Sequence, residues 1–178
     1  CAVAPVAGFH HACFARGSGF CTFNGLMVTA LVLRRERPLI RVGILDFDQH
    51  YGNGTADIIR ELGLHWVQHY SAGAWWDQPE QAERFLAEIP KIMQPFERCD
   101  VLLYQAGADP HVNDPLGGWL STAQLRERDR LVFGTCKAMG LPIAWNLAGG
   151  YQRDAAGTIR PVLDIHDATL QECAEAWL

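Results

Sequence analysis

Val42-Gly43-Ile44-Leu45-Asp46-Phe47-Asp48-Gln49-His50 is an apolar run that ends in three polar residues spaced two apart. The nearly continuous apolar run predicts a strand over 41–48, buried on both faces as in a parallel sheet. Side chains alternate along a strand, so Asp46, Asp48 and His50 fall on one face. Three polar groups at a buried strand end cost free energy unless something pairs with them. A divalent metal is the usual partner for an Asp and a His held this way. A strand end held by hydrogen bonds alone is the alternative. The run then opens into a Gly-rich turn, Tyr51-Gly52-Asn53-Gly54-Thr55.

Other clusters stand at strand ends or in Gly-rich loops. A tandem pair lies in Gly8-Phe9-His10-His11. Gly107-Ala108-Asp109 follows the apolar run Val101-Leu102-Leu103-Tyr104, and Gly149-Gly150-Tyr151 follows Ile143-Ala144-Trp145-Asn146-Leu147. An open α/β sheet collects its ligands at the carboxyl ends of its strands. The remaining periodicity predicts strands over 1–6, 64–70, 100–106 and 141–147. It predicts helices over 23–35, 55–62, 79–95, 121–139 and 164–178. Thr55 is the expected cap of the second helix, Pro90 interrupts or ends the third, and Gly140 stops the fourth. Strands alternating with helices imply a mostly parallel sheet covered on both faces, a three-layer α/β/α arrangement. No repeat, linker or low-complexity segment divides the chain, so residues 1–178 read as a single domain.

Composition narrows the function. The chain is 49% apolar and 20% charged, which suits one globular domain with a core. With a net charge of −5 and no basic run beyond Arg34-Arg35-Glu36-Arg37, it lacks the footprint of a nucleic-acid binder. No apolar stretch approaches the roughly 20 residues that span a bilayer, and no charged-then-apolar leader is visible. Six cysteines occur without a CxxC pair, which argues against a Cys-based zinc site. Apolar neighbours around Cys21, Cys99 and Cys136 point to buried free thiols in a reducing, cytoplasmic compartment.

The segments GFHHA (8–12), GFCTFN (19–24), ILDFDQHYGNGT (44–55), QAGAD (105–109) and LAGGY (147–151) resemble, in order, the histone deacetylase family. The likeness is to the branch of bacterial histone deacetylase-like, acetylpolyamine and acetoin-utilisation enzymes, and it covers nearly the whole chain. It implies the arginase/deacetylase fold and a metal-dependent deacetylase acting on linear amide C–N bonds. In that family a long segment precedes the His pair. The chain therefore reads as the C-terminal portion of the family's domain, with a sheet edge or apolar face exposed. That predicts a homo-oligomer, or weak turnover of an acyl-amine.

By the resemblance, Asp48, His50 and Asp109 are the metal ligands, for Zn²⁺ or, with the same O/N donors, Fe²⁺ or another divalent ion. Asp109 read by itself could instead be an Asx-turn residue, since Pro110 follows it. His11 is the expected general base and acid, and His10 its electrostatic partner. Asp46 orients His10 and Asn53 orients His11. Some relatives carry Asp where this chain has Asn53, and a neutral amide stabilises an imidazolium less. Tyr151 follows Gly149 and Gly150, which let the backbone approach a ligand closely. Its hydroxyl is the expected donor to the developing oxyanion.

Gly19 and Phe20 resemble one wall of the acyl-lysine tunnel, and Trp75 or Trp76 is a candidate for the facing wall. Leu116 stands where polyamine-specific relatives carry an acidic residue, which argues against a substrate with a second ammonium. Asp46, with the carbonyls of Asp48 and His50, resembles a structural K⁺ site. His65, His69, His111 and His166 lack motif support and read as structural or surface residues.

Two other readings stand beside the hydrolase. The arginase and agmatinase group shares the fold but needs a further Asp two residues after His50, where this chain has Gly52. The second is a catalytically weak or inactive deacetylase-like protein that serves as a binding or oligomerisation module. Neither the natural substrate nor its acyl chain is legible, and "histone" in the family name implies nothing about either.

Overall fold

Strand β2 (Val42–Asp46) is buried at every residue, as its unbroken apolar run requires. The computed structural model describes residues 1–178. With β1 (Ala2–Ala4), β3 (Val67–Ser71), β4 (Val101–Gly107) and β5 (Ile143–Ala148), β2 forms one sheet of order β1-β5-β4-β2-β3. Every pairing is parallel. The chain runs outward from β2 to β3 in one direction and from β4 to β5 in the other. The strand order thus reverses between β2 and β4, and a doubly wound sheet opens its ligand crevice at that point.

Five helices complete three layers: α1 (Gly25–Glu36), α2 (Asn53–Leu62), α3 (Ala82–Met93), α4 (Thr122–Met139) and α5 (Arg160–Trp177). Leu26, Met27 and Ala30 of α1 and Ile58 of α2 pack with Val42, Ile44 and Leu103 on one face of the sheet. Residues of α3, α4 and α5 pack with Leu45, Leu102, Tyr104 and Trp145 on the other. The alternation of β2 explains the division. Leu45 and Phe47 point into the larger core, where Phe47 stacks edge-on against Phe85 at 5.1 Å and Tyr104 at 5.8 Å. An aromatic anchor of this kind typically contributes about 3–5 kcal/mol by truncation. It fixes the residue between the two candidate carboxylates.

Several local expectations change. Helix α2 starts at Asn53 with Gly52 as its cap residue, so Thr55 is not the cap. Thr55 is fully buried; its hydroxyl accepts from Asn24 Nδ2 at 3.0 Å and its N–H donates to His10 O at 3.1 Å. Helix α3 runs through Pro90 to Met93 and continues as a 3₁₀ turn to Arg98, with the ring of Pro90 on the solvent side. Helix α5 begins at Arg160, four residues before the predicted start, with Pro161 in its first turn, where a missing N–H costs nothing. Helix α4 has the expected ends: Ser121 and Gln124 form a capping box and Gly140 closes it left-handed. Cys21 and Cys136 are buried free thiols, whereas Cys99 is half-buried. No helix is long and apolar enough to cross a membrane.

Candidate metal centre and catalytic cavity

Past the last rung of β2, Asp48 and His50 turn toward Asp109, which follows β4. The three side chains offer ligand atoms that all lie within 4.8 Å of one another. His50 Nδ1 is 3.3 Å from Asp48 Oδ1 and 3.0 Å from Asp109 Oδ2. Both carboxylates are buried. Glycines bring the three loops this close. A Cβ on Gly107 would stand 2.5 Å from the Asp48 Cα. One on Gly149, whose φ is +52°, would fall 2.3–2.7 Å from the carboxyl atoms of Asp109.

Two buried carboxylates and an imidazole in contact make a site that wants a cation. Burial, then the charge of Asp109, pushes Asp48 up to about 7. Burial would raise Asp109 too, but hydrogen bonds from His50, Asp48 and the Gln49 N–H hold it below its ordinary value. Hydrogen bonding to Asp109 and Asp48 raises His50 to about 10. Ligand atoms bound tetrahedrally at about 2.0–2.2 Å from zinc stand roughly 3.3–3.6 Å apart. The observed spacings fit such an ion with small shifts of the side chains.

The His pair lies beside this cluster. His10 Nδ1 bonds Asp46 Oδ2 at 2.7 Å, and His10 Nε2 approaches Asp48 Oδ1 to 3.6 Å. Burial alone would lower His10, but the charge and hydrogen bond of Asp46 outweigh it and raise it to about 9. His11 Nδ1 donates to Asn53 Oδ1 at 2.6 Å, which leaves its Nε2 lone pair free. Burial lowers His11, against the Asn53 hydrogen bond. One ring is thus held as a cation and its neighbour as a neutral base, with ring centres 4.0 Å apart. Two histidines whose environments push them apart in this way can divide electrostatic and base roles.

A cavity of about 280 Å³ opens over the pair and Asp48. Gly19, Phe20, Gly149, Gly150 and Tyr151 line it, together with Cys21. Phe20 adopts φ +62°, and its ring stands 6.3 Å from that of Tyr151. Burial, then the charges of Asp109 and Asp48, raises the Tyr151 phenol to about 12, so it stays a donor. Leu116 is half-exposed and is not among the lining residues. Neither tryptophan forms the facing wall. Trp76 packs on Phe85 in the core and donates to the Tyr70 hydroxyl at 2.8 Å, while Trp75 is exposed.

Sequence reasoning missed several contributors. Gln105 Nε2 donates to Asp46 Oδ1 and Asn146 Nδ2 to Gln105 Oε1, both at 3.4 Å, a polar row across the strand ends. The Tyr151 N–H donates to Asp114 Oδ2 at 2.7 Å, and the Leu116 N–H to Asp114 Oδ1 at 3.0 Å. Gln105 and Asn146 interrupt apolar runs, which was a usable signal. Asp114 had none, because its partners are fixed only by the fold.

Known proteins are similar to this chain in sequence and in fold. An uncharacterised protein of Picosynechococcus sp. is 32% identical over 166 residues, covering 83% of this chain and 55% of that protein. A probable deacetylase of Methanothermobacter thermautotrophicus is 27% identical, covering 83% of this chain and 52% of its own length. The chain thus spans about half the length of these curated relatives. The crystal structure of an acetylpolyamine aminohydrolase from Burkholderia pseudomallei superposes with a TM-score of 0.71 at 19% identity, over 95% of this chain and 54% of the other. It has the same fold. The sequence model of the histone deacetylase domain matches residues 1–72 and 68–162. That near-complete match, on a sheet that gathers its motifs at one crevice, makes the chain a member of the histone deacetylase family.

Proposed function

We propose that the chain is a metal-dependent amidohydrolase that removes acetyl or related acyl groups from lysine or another amine. The observation that carries this reading is one cavity lined by the differently poised His10 and His11, by Tyr151, and by Asp48 of the Asp48-His50-Asp109 cluster. Asp48, His50 and Asp109 would hold the ion, Zn²⁺ by donor type, with Fe²⁺ using the same donors. A bound divalent ion supplies Lewis acidity toward water and the substrate carbonyl.

The chain's own groups do the rest. His11 Nε2 takes the proton of the attacking water and returns it to the leaving amine. Asp46 keeps His10 charged next to the reacting centre. The Tyr151 hydroxyl donates to the carbonyl oxygen as it becomes negative. Phe20 and the side-chain-free backbone of Gly149-Gly150 accommodate an aliphatic stem.

A structural K⁺ at Asp46 and the carbonyls of Asp48 and His50 belongs to the same proposal, supported by the complete burial of the Asp46 carboxylate. The free cysteines favour a reducing, cytoplasmic setting. One observation favours the weaker-enzyme reading. Phe20 is 89% exposed and Tyr151 38%, so one tunnel wall stands open on this chain. The exposed Phe14 and Phe23 of the loop before α1, with Val28 and Leu31 on α1, support self-association.

Turnover of a fluorogenic acetyl-lysine substrate, with zinc and with chelator, tests the reading. Zinc-dependent release of the amine is expected. Tight zinc binding without turnover would leave only a binding module.

A further inference from the structure

We infer that Arg128 is a positioning residue for the metal centre, a buried guanidinium that ties together the two turns carrying the metal ligands. This rests on the metal-dependent reading above. Arg128 lies on α4 and is 1% exposed. Its Nη1 donates to Gly107 O at 2.7 Å and to Phe47 O at 3.2 Å. Phe47 immediately precedes Asp48, and Gly107 stands two residues before Asp109. The paired register of β2 and β4 ends at Asp46 opposite Gln105. Beyond that level the Phe47 N–H still donates to Gln105 O at 3.1 Å and Gly107 stays paired with Ala148 of β5, and Arg128 ties the carbonyls of Phe47 and Gly107 together just before the two ligand-bearing turns.

The guanidinium is itself fixed. Its Nε and Nη2 donate to Asp129 at 2.9 and 3.2 Å. Asp129 also accepts from the Tyr104 hydroxyl and, at 2.6 Å, from the Thr169 hydroxyl. Helices α4 and α5 and strand β4 therefore set the plane of the fork. Asp129 pairs with Arg128, and the bonds Arg128 makes toward the ligand-bearing turns go to backbone carbonyls and not to the ligands themselves. A lysine carries the charge but lacks the planar fork that serves two carbonyls and a carboxylate at once. A metal site tolerates only about 0.2 Å of error in ligand distance. Slack between the two turns should therefore weaken the site before it unfolds the protein.

The test compares wild type, Arg128→Lys, Arg128→Met and Thr169→Val. The readouts are zinc affinity by chelator competition, the visible spectrum of the cobalt form, and the melting temperature. Arg128→Lys should bind zinc at least tenfold more weakly and show an altered cobalt spectrum while remaining folded. Thr169→Val removes a bond to Asp129 but leaves both carbonyl bonds, so it should melt earlier with zinc affinity and spectrum unchanged. Wild-type affinity and spectrum in a folded Arg128 variant overturn the inference. So does an equal loss in Thr169→Val, because the effect would then follow stability. If neither Arg128 variant folds, Arg128 serves the fold as a whole and the inference is wrong. A wild-type protein that binds no zinc overturns the metal reading itself.

Discussion

Gly149→Ala separates the two demands placed on that glycine, and both can be sized. The residue sits at φ +52°, a conformation that costs an L side chain roughly 1–2 kcal/mol. The larger effect is steric. The new methyl would lie 2.3–2.7 Å from the carboxyl atoms of Asp109, whereas nonbonded carbon contacts lie at about 3.5–4.0 Å. Relief requires a displacement on the order of 1 Å, shared between the Gly149 turn and the Asp109 carboxylate. Ligand distances tolerate only about 0.2 Å. We therefore expect zinc affinity to fall at least ~100-fold, equivalent to about 2.7 kcal/mol.

Gly63→Ala is the matched control. Its φ is +62° and nothing lies within 4 Å of the new methyl, so it should lose roughly 1–2 kcal/mol of stability and no zinc affinity. Chelator competition and thermal melts of both variants read the two effects apart. Unchanged zinc affinity in Gly149→Ala would refute the claim that this glycine makes room for the ligand.

Tyr151→Phe should lower kcat by about 10²–10³ with zinc affinity unchanged; a wild-type rate removes the hydroxyl from the mechanism. Asn53→Asp places a charge on the orienting partner of His11, whose proton affinity burial now lowers, so the acid limb of kcat/KM should move to higher pH; an unmoved limb argues against His11 as the base. Burial also holds His166 below the ordinary histidine range. In that case the unfolded chain binds the proton first, and stability present above about pH 6.5 is lost as pH falls toward the folded-state value. His166→Leu should flatten the decline in the melting temperature of the chelated protein between pH 7.5 and 5.5, and an unchanged slope contradicts this.

The fold was legible where one residue pattern permits one structure. The run Val42–Leu45 has no polar position, so it reads as a strand covered on both faces, and the sheet follows from it. Asp46, Asp48 and His50 were legible as polar residues at the end of a buried run, but β2 ends at Asp46 and the turn beyond it, not strand alternation, sets Asp48 and His50. The misread features depend on partners far away in sequence. Thr55 has the composition of a helix cap, yet the fold uses it to hold Asn24 and the His10 loop. Trp76 looks like a cavity wall by its place in a loop, and only packing against Phe85 shows that it belongs to the core. Arg128 and Asp129 did carry a signal. They stand three and four residues after Leu125, on the stripe that continues to Val132, where a charge must be buried and paired. The start of α5 was also marked, by Pro161 in a first helical turn.

Zinc titration of the chelated protein, following amine release from an acetylated lysine peptide, tests the central claim most directly. One ion held by Asp48, His50 and Asp109 predicts a rate that is absent without zinc, rises linearly and stops rising at one equivalent. Asp109→Ala should stay silent throughout. A break at two equivalents would point to the paired-metal chemistry of the arginase group, and saturation with no turnover at any zinc level would contradict the deacetylase reading.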